Sequence, residues 1–188
     1  KTLFPYTTLF RSTINQIMST CALTTDYTFA CDAGVGGNKT FWLIEHENIE
    51  SLTESSGTIT AITKVAGKVF RKYDLVMETS STDEAITGDR QAGTSFFAQT
   101  AVIVINRQQV LVRNELKVLA KNNLMLIALD SNGDYRLYGR EYGLRLLTGN
   151  ITSGTAWSDR NGYVFNLTGK EKEPAPFVES SVIATLQT

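Results

Sequence analysis

The sequence contains little of what enzyme sites are built from. Its 188 residues include one histidine, two cysteines and three prolines. A single imidazole excludes any site that needs a second one, and two thiols beside it do not complete the ligand set of a structural zinc site. No G-x-S-x-G nucleophile motif occurs, and no carboxylate pair stands out from the charged background. The sequence therefore predicts no enzyme, no metal site and no cofactor.

Charge and hydropathy argue against two further classes of protein. Lysines and arginines number 18 against 19 aspartates and glutamates, which gives a net charge of −1. A protein that coats nucleic acid carries a basic excess instead. The longest apolar runs, AVIVI and LMLIAL, are far shorter than the ~20 residues of a membrane-spanning helix. Neither a nucleic-acid coat nor a membrane span is expected.

The first 17 residues do not read as part of a folded protein. Pro5 interrupts their apolar residues, so they lack the unbroken apolar stretch of a secretory signal. Thr2–Ser12 (TLFPYTTLFRS) matches the codon-by-codon translation of a common short-read sequencing adapter. We therefore interpret residues 1–17 as a non-native leader, Met18 as the true start, and residues 18–188 as one β-rich domain.

The few chemically reactive side chains fit packing roles. Without an export signal, a disulfide between Cys21 and Cys31 is not the default, and we interpret both as small packing residues. The string HENIE is not a zinc-protease motif, because His46 is the only histidine. On a strand, His46 would also face away from Glu45 and Glu47, which predicts a surface or strand-end residue.

Strand-forming residues dominate the chain, and the fold class we predict is mainly β. Gly67–Thr79 alternates apolar and polar residues, which predicts a long half-exposed strand with Thr94–Asn106 as its antiparallel partner. The other predicted strands are Lys39–His46, Gly57–Val65, Leu124–Asp130, Tyr135–Gly139 and Tyr163–Glu171, with Ser181–Gln187 as a last strand or arm. Together they favour an antiparallel β-sandwich or barrel.

One helix interrupts the strands, over residues 107–122 (Arg107–Asn122). Val112, Leu116, Leu119 and Ala120 recur at helical spacing and form an apolar face that we expect to pack on the sheet.

The string DSNGD predicts a hairpin turn. Asn132-Gly133 fits the two left-handed positions of a type I′ turn. Asp130, Asp134 and Glu141 also fall at calcium-loop positions, but Tyr135 stands where that loop requires glycine. The flanking segments are predicted strands rather than helices, so we interpret the string as a turn.

The C-terminal half resembles a known group of proteins. The strings NELKVLAKNNLMLIALDSNGDYRLYGREYGLRL and SGTAWSDRNGYVFNLTGKEKEPAPFV are similar to virion proteins of tailed bacteriophages and prophages of gut bacteria, and the group resembles phage tail-tube (major tail) proteins. The similarity covers most of Met18–Val178 and contains no catalytic motif. It implies a sandwich or barrel with one flanking helix, a long hairpin and a C-terminal arm over about residues 172–188.

The resemblance also implies a role. Copies would form hexameric rings, and the rings would stack into a tube that conducts viral DNA without binding it specifically. The implied partners are the chain itself and other tail proteins, and the implied location is the virion, assembled in the cytoplasm of the host bacterium. A near-neutral charge suits such a conduit, because strongly basic walls would retain DNA.

The segment Ser80–Gly93 is the candidate contact between rings. It is too long for a simple hairpin connection, and we predict a long loop or hairpin tip. In tail-tube proteins a comparable hairpin reaches the adjacent ring, which assigns this segment to stacking. Its candidate residues are Asp83, Glu84, Ile86, Asp89 and Arg90.

Two alternatives remain open at this point. A tail terminator or head–tail joining protein could share the same architecture. A carbohydrate-binding β-sandwich is a different class, in which Trp42, Trp157 or the tyrosines would stack on sugars, although a buried anchor is the commoner fate of tryptophan in a β domain.

If residues 1–17 are a translated adapter and its flank, their removal should leave the melting temperature unchanged within error. A thermal unfolding scan of Met18–Thr188 beside the full chain tests this expectation. A large drop for the shortened chain would show that the segment belongs to the fold.

Overall fold

The computed structural model describes residues 25–28 and 34–187. The proposed leader and both cysteines, Cys21 and Cys31, lie outside the described residues. Residues 34–187 form eleven strands and two α-helices, and no helix in the described ranges is long and apolar enough to cross a membrane. The elements are β1 (Asn38–Glu45), β2 (Ile49–Ser55), β3 (Thr58–Lys64), β4 (Arg71–Asp74), β5 (Ser81–Asp89), β6 (Thr94–Ile105), α1 (Val110–Leu119), β7 (Leu124–Asp130), β8 (Tyr135–Tyr138), β9 (Arg145–Thr152), β10 (Gly162–Glu171), β11 (Phe177–Val178) and α2 (Ser180–Ile183).

The strands form two sheets packed face to face, which confirms the predicted mainly β fold as a sandwich rather than a closed barrel. Sheet A has seven strands in the order β2-β3-β11-β8-β7-β1-β4. Sheet B has four strands in the order β5-β6-β10-β9. The pairing is antiparallel throughout these sheets except between β11 and β3.

The central strands of sheet A are buried on both faces. In β1, Phe41 and Leu43 belong to the core shared with sheet B, whereas Trp42 and Ile44 belong to a second cluster on the opposite face. β7 alternates in the same way. Because both faces are dry, these strands read in the sequence as continuous apolar runs rather than as alternation.

Helix α1 packs against the core between the sheets. Leu119 is buried there, and Val112 and Leu116 are partly buried beside it, so the predicted helix and its apolar face are confirmed. The helix spans Val110–Leu119 and is shorter than predicted at each end. Ala120 lies just beyond the last turn and is exposed.

The long strand predicted over Gly67–Thr79 is wrong. Only Arg71–Asp74 is extended, as β4, and it pairs with β1, whereas β6 pairs with β5 and β10. Gly67 and Glu78 have left-handed φ angles of 79° and 61°, which break the extended backbone on each side of β4. The alternation in the sequence therefore extends beyond the strand.

Two segments near the C-terminus also differ from prediction. β9 was not predicted, since most of its side chains are exposed and its apolar residues do not alternate cleanly. Ser181–Gln187, predicted as a strand or arm, is the remainder of α2 followed by turns. Val182 and Leu186 are buried in the second cluster of sheet A, because a spacing of four residues places both on one face of a helical turn.

The hairpin around SNGD is confirmed, but its predicted turn type is not. Gly133 has a φ of 98°, whereas Asn132 is not left-handed, so the turn is not type I′. The Asp130 carboxylate fixes the turn by accepting hydrogen bonds from the backbone N–H groups of Asn132 and Asp134 at 2.8 and 2.9 Å.

The packing of α1 gives a direct test of the core. Replacing Leu119 by alanine should lower the free energy of unfolding by about 2–5 kcal/mol, because a buried side chain leaves a cavity. Lys117→Ala, on the exposed side of the same helix, should change it by no more than about 0.5 kcal/mol. Urea unfolding followed by circular dichroism measures both, and equal losses would contradict this packing.

Candidate assembly surface

Sheet B packs on the rest of the protein through one face. Ala101 and Ile103 of β6 point into the core, so the residues that alternate with them along the strand point outward. The outer face carries mostly small or polar side chains that are exposed or half exposed. They include Asp83, Ala85 and Thr87 of β5, Ala98, Thr100 and Val102 of β6, Arg145, Thr148 and Asn150 of β9, and Asn166, Thr168 and Lys170 of β10.

Both edges of sheet B are open. β5 and β9 are its outermost strands, and neither outer edge pairs with another strand among the residues that the structure describes. Each neighbouring pair in the sheet is antiparallel, so β5 and β9 run in opposite directions. An unpaired edge presents backbone N–H and C=O groups that can pair with another chain.

The segment Ser80–Gly93, predicted as a long loop, is mostly strand. β5 pairs with β6 from Ser81 opposite Val102 to Asp89 opposite Thr94, which leaves only a short turn between the strands. The sequence concealed this strand because an edge strand with an exposed outer face needs few apolar residues.

The five residues predicted to dock on a neighbour have separate roles. Asp83 and Arg90 are exposed, and Ile86 is 75% exposed although it lies opposite Phe97. Asp89 holds the turn, since its Oδ1 accepts a hydrogen bond from the backbone N–H of Gln91 at 2.8 Å. Glu84 turns inward, where its Oε1 accepts hydrogen bonds from Gln99 Nε2 at 2.8 Å and from the Ala175 N–H at 3.0 Å.

Two buried polar residues fasten the connection between β8 and β9 to sheet B. Gln99 is 1% exposed, and its Oε1 accepts a hydrogen bond from the Gly139 N–H at 2.8 Å while its Nε2 donates to Glu84 Oε1 at 2.8 Å. Glu171 is 4% exposed, and its two oxygens accept from the Glu141 and Tyr142 N–H groups, both at 3.0 Å.

Neither residue was predicted from the sequence. The available signal was that Gln99 and Glu171 stand at inward positions of two otherwise apolar strands.

A groove of about 440 Å³ opens at the end of the sandwich where β10 finishes. Ile49, Leu52 and Met125 supply its apolar surface. Its charged rim consists of Glu50, Arg140, Glu141, Lys172 and Glu173, with the buried Glu171 behind it. We call this feature the terminal groove.

Ion pairs hold the rim of the terminal groove. Arg140 bridges Glu54 at 2.6 Å and Glu173 at 3.0 Å, and Lys172 pairs with Glu141 at 2.8 Å. His46, which follows the end of β1, donates from Nε2 to the Arg140 carbonyl oxygen at 3.0 Å.

The opposite end of sheet B carries the connection between β9 and β10, residues 153–161, which we call the Trp157 loop. Trp157 is fully exposed, whereas Trp42 is 6% exposed in the core, so only Trp42 is a buried anchor. Asp159 Oδ2 accepts from the N–H groups of Thr155 and Ala156 at 2.9 and 2.7 Å, and Arg160 Nε donates to Asn106 Oδ1 at 3.1 Å. The loop therefore has a defined shape.

The pKa shifts of four groups move away from neutrality. Burial raises the pKa of Tyr73 to about 12. Two backbone N–H donors of the loop hold the pKa of the Asp159 carboxyl below its usual value. The hydrogen bond between Lys172 and Glu141 raises the pKa of the ammonium and lowers that of the carboxyl. Each shift favours the form already present at pH 7, so these groups are not tuned to exchange protons there.

Comparisons with known protein families, with curated proteins and with solved structures find no match to this chain. Within the described part of the chain, no group of three or more His, Cys, Asp or Glu side chains is arranged to hold a metal ion. Among the described residues, the open sheet, the terminal groove and the Trp157 loop each offer surface for contact with another molecule.

The buried polar residues yield a stability test. Glu171→Gln replaces one acceptor oxygen by an NH₂ group that faces a backbone N–H, and it should cost about 1–3 kcal/mol of unfolding free energy. Glu173→Gln, two residues along and exposed, should cost at most about 1 kcal/mol. Chemical denaturation of both variants measures the difference, and a neutral Glu171→Gln would contradict the assigned role.

Proposed function

We propose that the chain is a structural subunit of a phage tail tube, in which copies join sheet B edge to edge into rings. The observation that carries this proposal is a four-stranded sheet with two open edges and one face that does not pack on the core. Within one subunit, only the inner face of this sheet packs against other described residues. The proposal agrees with the resemblance of the C-terminal strings to tail-tube proteins.

The two edges are compatible with each other. β5 has nine residues and β9 has eight, and they run in opposite directions. When copies are related by rotation about a ring axis, β9 of one copy lies antiparallel to β5 of the next. The antiparallel ladder then continues across the boundary without a change of pattern. A contact between two different edges, repeated by rotation, closes into a ring.

The dimensions of such a ring suit a conduit. Six copies of this four-stranded sheet form a cylinder of 24 strands, with a backbone diameter of about 45–50 Å at ordinary strand spacing and tilt. That width admits a DNA duplex. The outer face of sheet B would line the channel, and its few charges are of both signs: Asp83, Asp89, Arg145 and Lys170. Such a lining holds phosphates weakly, so DNA would pass without specific binding.

This function implies a location and partners. The subunit would act in the virion after assembly in the host cytoplasm, with itself and other tail proteins as partners. A tail terminator or head–tail joining protein would use the same ring but would not stack into long tubes. Electron microscopy of the purified protein separates these roles by the length of the assemblies.

A second candidate is a carbohydrate-binding module, favoured by the complete exposure of Trp157. Stacking on a sugar needs an exposed aromatic face. Trp42 is buried, and the half-exposed Tyr142 is at the other end of the sandwich, beside Lys172. The module would be a monomer that binds glycans, whereas the tube subunit would assemble.

The β5–β6 hairpin tests the tube proposal. Beyond the last pairing of β10 with β6, at Glu171 and Phe97, the tip extends by the pairs Thr87–Phe96, Gly88–Ser95 and Asp89–Thr94. Ile86 lies directly opposite Phe97. A two-residue Asn-Gly turn can therefore replace the whole segment 87–96 between them without disturbing the three-stranded part of the sheet. Because the tip would reach the next ring, this variant should melt cooperatively and yet form single rings instead of tubes.

The matched control is Gln91→Ser, which changes the tip without shortening it and should keep tubes of normal length. Negative-stain microscopy and sedimentation velocity measure the assemblies. Tubes of normal length from the shortened variant would refute the stacking role of the hairpin.

A further inference from the structure

We propose that rings stack by insertion of Trp157 from one ring into the terminal groove of a copy in the next ring. This inference rests on the proposed tail-tube function, and it names the partner surface as a second copy of this chain. Three observations carry it: where the two features lie, how exposed and how rigid they are, and their opposite charge.

The two features lie at opposite ends of the same strand. The Trp157 loop leads into β10 at Gly162, and the terminal groove is lined by Glu171, where β10 ends. Ten residues of strand separate them by about 30 Å. If strands of sheet B line a channel, one feature therefore faces each neighbouring ring. A plug at one end and a recess at the other is the arrangement that lets identical rings stack repeatedly.

The plug is exposed and held in shape. Trp157 is fully exposed, which is unusual for the largest apolar side chain. Asp159 and Arg160 tie its loop down through hydrogen bonds to the loop backbone and to Asn106. Little conformational freedom would be lost on docking, and tryptophan is a preferred anchor in protein interfaces.

The recess matches an aromatic plug in chemistry. It encloses about 440 Å³, and its apolar residues Ile49, Leu52 and Met125 lie inside a charged rim. A buried aromatic anchor surrounded by polar groups that exclude water is the usual anatomy of a strong contact.

The charges of the two ends are complementary. Four carboxylates, Glu50, Glu141, Glu171 and Glu173, line the groove against the two cations Arg140 and Lys172. Around Asn106, which contacts the Trp157 loop, the balance is reversed: Arg160 donates to Asn106 and Arg107 follows it in the chain, whereas Asp159 is the one carboxylate of the loop. Opposite charge selects the head-to-tail contact and disfavours the contact of two like ends. High salt should therefore weaken stacking.

The experiment uses two variants that each disable one half of the contact. Trp157→Ala removes the plug and leaves the groove intact. Ser51→Tyr fills the groove from an exposed position and leaves Trp157 in place. Each variant alone should form single rings and no tubes. An equimolar mixture should form stacks of two rings. The Ser51→Tyr ring still has Trp157, the Trp157→Ala ring still has an open groove, and no further ring can add to such a pair. Met77→Ala removes another exposed apolar side chain and should keep full tubes.

Fluorescence supplies an independent readout. Trp42 and Trp157 are the two tryptophans, so the difference between wild type and Trp157→Phe reports the exposed one. Assembly should shift that difference emission to the blue and reduce its quenching by acrylamide. At high salt the tubes should come apart into rings, and the difference emission should return to that of a solvent-exposed tryptophan.

The outcomes separate this inference from the function on which it rests. Normal tubes from Trp157→Ala or from Ser51→Tyr, or a mixture that does not pair rings, would overturn the inference and leave the tube proposal intact. A wild-type chain that stays monomeric at high concentration would overturn both. Glycan binding by that monomer, lost in Trp157→Ala, would establish the carbohydrate-binding alternative in their place.

Discussion

Burial of β1 and β7 on both faces is the constraint on which the rest of this structure depends. One face of these strands needs sheet B and α1, and the other needs the C-terminal segment with Val182 and Leu186. Each fully buried large apolar side chain contributes about 1.5–3 kcal/mol to the free energy of unfolding, so the loss of either packing layer would strongly destabilise the protein. Among the described residues, the outer face and the two edges of sheet B remain open to other contacts, as do the outer edges of β2 and β4 in sheet A.

The same arrangement connects the core to the terminal groove. The chain leaves sheet A at Gly139 and reaches β9 through a crossing that Gln99 and Glu171 hold by hydrogen bonds to its backbone. Gly139 has a φ of 72°, and an added Cβ would lie 2.8 Å from the Leu124 carbonyl oxygen, so no larger residue fits there. Arg140 and Glu141 belong to this crossing, so the buried Gln99 and Glu171 fix the position of the groove rim.

The sequence was sufficient to predict the strands and the helix whose own residues are buried in the core. β1, β3, β6, β7, β10 and α1 carry their own apolar or β-branched signal, and each was predicted at nearly its observed position. β5 and β9 carry no such signal, because each is an edge strand whose pairing depends on residues distant in the chain. The terminal groove joins residues 46–52 to 140–173, which no local pattern indicates. Trp157 was named from the sequence as a residue that could stack on sugars, and its exposure agrees with the many turn residues of SGTAWSDRNG, whereas Trp42 stands in an apolar strand.

Open strand edges create a hazard as well as an opportunity, and sheet B shows features that limit the hazard. An exposed flat edge pairs indiscriminately and leads to aggregation. Here β5 carries Asp83 and Asp89, β9 carries Arg145, and Gly88 and Gly149 lower the intrinsic strand preference of both edges. β9 also has a register shift opposite Asn166 and Leu167, which bends that edge. In the proposed ring, these features would make pairing between copies weaker per residue and more dependent on register. A weak edge contact closes a ring only when many copies join at once, whereas a deep plug-and-groove contact can form between single pairs. In the assembly that we propose, edge pairing would determine the ring, and the terminal groove would determine the direction in which rings add.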